Sequence, residues 1–121
     1  MEEYVHEIAP ENIEAAIEHA EVSQKHGQVI ETIGQKLQNQ GGAIAEGQAI
    51  KEHGRSVQAH AQAAQEYAEI AEAHKSESTE AFVRSAHEHG KAVEEHVAAV
   101  NDYLSAVKRI RPPQPDQRSQ S

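Results

Sequence analysis

Histidine returns at seven-residue spacing in three separate stretches: His19 and His26, His53 and His60, His89 and His96. Seven residues is two turns of an α-helix, so each pair lies on one helix face, about 10.5 Å apart along the axis. A small or apolar residue follows each ring: Ala20, Gly27, Gly54, Ala61, Gly90 and Val97. Three places before each stands Ala16, Ser23, Ile50, Val57, Ala86 or Val93. The pattern therefore expects three helices that carry imidazoles on or beside their buried seams.

Proline and glycine set the limits of those helices. Pro10 suits a first helical turn, and Glu11 and Glu14 favour the positive end of the dipole. A first helix is expected over 11–40, with Ile13, Ala16, Ile17, Ala20, Ile30, Ile33 and Leu37 at helical spacing, stopped by Gly41-Gly42. A second is expected over 43–74 through Ile50, Val57, Ala61, Ala64, Ala68 and Ala71. A third is expected over 79–110 through Phe82, Ala86, Val93, Val97, Val100, Leu104 and Val107. The seam shifts phase between His74 and Phe82, so a turn at 75–79 explains the pattern better than a slip within one long helix. Pro112, Pro113 and Pro115 end the helical part. The fold class expected is all-α: a three-helix antiparallel bundle, up-down-up, over 1–110, followed by a disordered Pro-rich C-terminal tail at 111–121.

Composition narrows the functions. Alanine fills 20 positions against two leucines (Leu37, Leu104) and no tryptophan, so the core gains little per residue and an isolated monomer is marginal. Self-association or a bound ligand would add stability. Val22, Val29, Ile44, Ile70, Val83 and Ala99 lie off the main stripes and mark an oligomer contact if exposed. A homo-oligomer or a helical protein partner is the expectation that follows from that reading. The net charge is −9; Lys108, Arg109, Arg111 and Arg118 against Asp116 make the end of the chain +3, leaving −12 on the rest. A body that acidic repels phosphate backbones, so nucleic acid is not an expected partner. No stretch is apolar enough for a membrane span. No cysteine offers a disulfide or thiolate. MEEYVHEIAPE lacks the pattern of a secretory signal, so cytoplasmic residence is the expectation, with export without a cleaved signal left open.

Short connections make sequential helices antiparallel. One register per helix pair then puts His19, His60 and His89 at one height, and His26, His53 and His96 at the next. Three readings stay open for these layers. In the first they are amphipathic margins of a purely structural or protein-interaction bundle without a ligand. In the second, three imidazoles from different helices hold a late first-row ion: Zn²⁺, Cu²⁺, Ni²⁺ or Co²⁺. In the third, charging stacked rings pushes the helices apart at acidic pH. A haem is less suited than a bare ion, because few large apolar residues are present to wrap it. No nucleophile, orienting carboxylate or phosphate loop forms a catalytic motif. The expectation is a non-enzymatic helical assembly or binding module.

Overall fold

The computed structural model describes residues 8–41, 43–74 and 78–110, the side chains of 109 and 110 excepted. The tail expected at 111–121 lies outside the described residues. Three helices fill the rest: α1 (Pro10–Gln40), α2 (Ile44–Ala73) and α3 (Ser78–Ile110). Each starts with an acid in its first turn, Glu11, Glu46 and Glu80, where the helix dipole is positive. Pro10 begins α1, as its fixed φ and missing N–H allow. Gly41 ends it at φ 82°, a left-handed conformation that glycine adopts without a Cβ clash. His74 breaks α2 in extended conformation, its N–H still donating to the Ile70 carbonyl at 2.9 Å. α2 therefore ends before α3 begins at Ser78, and the helices form an all-α bundle. No helix among the described residues is long and apolar enough to cross a membrane.

The packing is unequal. α2 is the hub, with extensive contact to both neighbours, while α1 and α3 barely touch. It uses two stripes for this. Gly47, Gly54, Ala61 and Ala68 face α1, where Ile13, Ala20, Gly27 and Gly34 answer them; all eight are buried. At this contact the backbones nearly meet. A Cβ built on Gly54 would stand 2.4 Å from the Glu31 backbone nitrogen, and one on Gly34 would stand 2.4 Å from that of Lys51. Glycine inside a helix costs about 1 kcal/mol relative to alanine, and the close approach is the physical reason to bear that cost here. Amide pairs close the edges of this seam: Gln24 with Gln65 and Gln38 with Gln48, both at 2.5 Å.

The second stripe of α2 is Ile50, Val57, Ala64 and Ala71, continued by Ala43 just before the helix. It meets Ser78, Ser85, Ala92, Ala99 and Ala106 of α3, all buried. The Ser85 hydroxyl donates to the Ala64 carbonyl at 2.7 Å, which fixes the height of the two helices. Ile50 and Val57 are the largest side chains fully removed from water.

Here the structure differs from the periodicity of the sequence. The buried stripe of α3 is the small one. Val93, Val97, Val100 and Leu104, expected to face the core, stand about half exposed. The small stripe of α3 leaves space for Ile50 and Val57 of α2 in this contact, and a second row of large side chains would overfill it, so those of α3 are turned outward.

Candidate functional site

The six seam histidines separate into two sets. His19 and His89 meet across the α1–α3 side, ring centroids 6.1 Å apart. His26 and His96 meet one level along, at 5.6 Å and edge to face. His53 and His60 do not join them. The His53 Nδ1 lies 2.5 Å from Glu95 Oε1 and its Nε2 lies 3.2 Å from Asp102 Oδ2. His60 Nδ1 lies 2.7 Å from Glu88 Oε1. Instead of two layers of three rings, there are two ring pairs on one side and two histidine–carboxylate pairs on the other. Among the described residues no group of three or more histidine, aspartate or glutamate side chains is placed to hold a metal ion.

Helix geometry explains the division. Successive residues turn by about 100°, so a histidine one place before a buried small residue sits well round the helix from it. In α1 this rotation turns His19 and His26 towards α3. In α2 it carries His53 and His60 past the α3-facing stripe to its far flank, where the acids of α3 stand. The sequence offered a sign of this: Glu88 and Glu95 fall one place before His89 and His96, on the flank of α3 that His53 and His60 approach.

The carboxylates respond to these partners. The hydrogen bond from His60 holds Glu88 below the usual carboxylate range. Glu31 is lowered in the same way by Gln58 and then Arg55, which reach it at 2.8 and 2.9 Å. Among the described hydrogen bonds, no serine or threonine hydroxyl reaches either histidine–carboxylate pair.

Between α1 and α3 lies an open apolar groove. Its larger end is a cavity of about 440 Å³ walled by Val29, Ile30, Ile33, Ile50, Val100 and Tyr103, with His26 and His96 at its edge. A second, of about 260 Å³, lies beside His19, His89 and Phe82. No acid lines the larger cavity or this one, although 20 of the 121 residues are Asp or Glu.

The groove continues onto the outer face of α3. Positions 83, 86, 90, 93, 97, 100, 104 and 107 alternate in steps of three and four and carry Val, Ala, Gly, Val, Val, Val, Leu and Val. All but the half-buried Val107 are exposed, with Val83 at 60% and Val97 and Leu104 at 53%. On α1, Val29 is exposed beside the same groove, and Val22 is exposed one turn away in sequence from His26. Of the six off-stripe residues read from the sequence, Val22, Val29, Ile44, Ile70 and Val83 are exposed, whereas Ala99 is buried against α2. The three-and-four spacing of α3 was present in the sequence, but it describes the free face and not the core. No family model, curated protein or solved structure matches this chain.

Proposed function

We propose that this protein is a non-enzymatic assembly module that pairs with a second copy of itself through the outer face of α3. The observation that carries the reading is the eight-position apolar seam at three-and-four spacing, which is the pattern of a helix that packs along another helix. From Val83 to Val107 it runs about 36 Å. With the α1 wall beside it the face is about two helix diameters wide, roughly 700 Å² in projection, near the 800 Å² or so per partner of a specific interface.

Self-pairing suits the face in size and charge. An antiparallel two-fold arrangement sets Val83 against Val107, Ala86 against Leu104, Gly90 against Val100 and Val93 against Val97. Small residues thereby face large ones, which favours interdigitation. A parallel pair would instead set Gly90 on Gly90 and leave a gap. The chain is strongly acidic, yet none of the eight positions is charged, so two copies can meet here without opposing their carboxylates. The residues from 111 to 121 have no aliphatic side chain beyond three prolines with which to cover the seam.

Sedimentation velocity on tag-free protein tests the association. The expected result is a dimer that Val97→Glu converts to a folded monomer, because residue 97 is exposed and its charge harms only the pair. Disulfide trapping tests the register, since the chain has no cysteine of its own. A mixture of Ala86→Cys and Leu104→Cys proteins should cross-link to one another, while each alone should not. A wild-type monomer at high concentration overturns the proposal; cross-linking of each variant with itself overturns the antiparallel register.

A further inference from the structure

The two ring pairs repeat one geometry. His89 and His96 each follow their α1 partner by seventy residues, so α1 and α3 run in register and present two equivalent histidine pairs, one two helical turns beyond the other. We infer that His19–His89 and His26–His96 are two sites for a late first-row divalent cation such as Zn²⁺ or Ni²⁺, each fastening α1 to α3. This goes beyond self-assembly, since it requires only residues of one chain.

Distance supports the inference first. A zinc–imidazole bond is about 2.1 Å and a ring nitrogen lies about 1.1 Å from its centroid, so two rings sharing one ion have centroids about 5.2 Å apart at a tetrahedral angle and about 6.4 Å when opposed. The observed 5.6 and 6.1 Å fall between those limits.

Chemistry supports it next. His53 and His60 are engaged with carboxylates, and the two carboxylates at His53 meet opposite edges of its ring and cannot share one ion with it. Among the described residues the four α1–α3 rings pair with each other and none forms an ion pair with an acid. Neutral imidazole is a good ligand for these ions, and a site with two protein ligands leaves the remaining positions to water. His19 and His26 are exposed, so an ion has a path in, and the chain's net charge of −9 attracts cations. The fold supplies a use for such a link: α1 and α3 have little other contact, and an ion would join the two walls of the groove directly.

Calorimetric titration of tag-free, chelator-treated protein with Ni²⁺ alone provides the test. The expected stoichiometry is two ions per chain, falling to one in His26→Gln or His96→Gln and to none in His19→Gln/His26→Gln, with circular dichroism confirming that each variant is helical. His53→Gln and His60→Gln should leave it at two. With wild-type protein, Zn²⁺ should protect residues 19, 26, 89 and 96 from diethyl pyrocarbonate while residues 53 and 60 react as before, a readout that no folding defect can mimic. Binding that follows His53 or His60, or a stoichiometry unchanged in His19→Gln/His26→Gln, overturns the inference.

Discussion

Replacing Gly54 with alanine places a methyl carbon 2.4 Å from the Glu31 backbone nitrogen and 2.8 Å from both the Glu31 Cα and the Gly27 carbonyl oxygen. All three are backbone atoms, so no side chain can turn aside. Restoring ordinary contact requires α1 and α2 to separate by about 1 Å, and a gap of that size forfeits about a quarter to a half of the dispersion energy of the lining atoms. Overpacking of this kind costs about 1–3 kcal/mol, and here it extends along a seam in which both helices are rigid. Alanine's helix propensity returns about 1 kcal/mol. The expected net loss is up to about 2 kcal/mol, a fall in Tm of up to roughly 10 °C for a domain of this size. Gly90→Ala is the matched control: an added Cβ meets nothing within 4 Å. It should stabilise the monomer by about 1 kcal/mol through propensity and a restricted unfolded state. Thermal unfolding followed by circular dichroism at low protein concentration compares the two directly. If Gly54→Ala stabilises as Gly90→Ala does, the close approach of α1 and α2 is wrong, and the argument from helical glycine falls with it.

Ile50→Ala should cost about 2–5 kcal/mol in urea unfolding, since Ile50 is the largest fully buried side chain among the described residues. Ser85→Ala should cost no more than about 1 kcal/mol by the same measurement, because the lost hydrogen bond is partly offset by better helix propensity. Acid should weaken the fold partly through Glu88. Its folded pKa is depressed, so the stability it adds is present above the unfolded carboxylate range and is lost as pH falls through the lower folded value. Glu88→Gln should flatten that part of the stability–pH curve between about pH 5 and 3 in chemical-denaturation measurements. Tm of the wild type should rise with protein concentration, and Val97→Glu should abolish the rise.

Helix limits were legible because punctuation and chemistry coincide. Pro10 and Gly41-Gly42 mark α1 directly, the phase change before Phe82 favours a break over a slip, and the helix limits follow them to within a residue. Burial was legible only in part. In α1 and α2 the small residues that follow the histidines are the contact stripe, as Ala20, Gly27, Gly54 and Ala61 show. In α3 hydrophobicity pointed to Val93, Val97 and Leu104, whereas the contact belongs to Ser85, Ala92 and Ala99. Helix packing distance decides between those stripes, and distance is a property of two helices together. The rings were misassigned to common layers for the same reason. Height along a helix can be read from residue numbers, but which flank of α2 a ring occupies depends on where its two neighbours sit around it.

The near-contact of α1 and α2 backbones also governs how the molecule can move. A hairpin whose facing surfaces are mostly hydrogen and methyl has few side-chain torsions to absorb shear, so it deforms as one stiff lever. α3 rests on that lever along a single edge, held by alanines, serines and two histidine–carboxylate clasps. Amide protons of α3 should therefore exchange with solvent before those of the hairpin, and the third helix should lift away first when the chain is pulled or warmed.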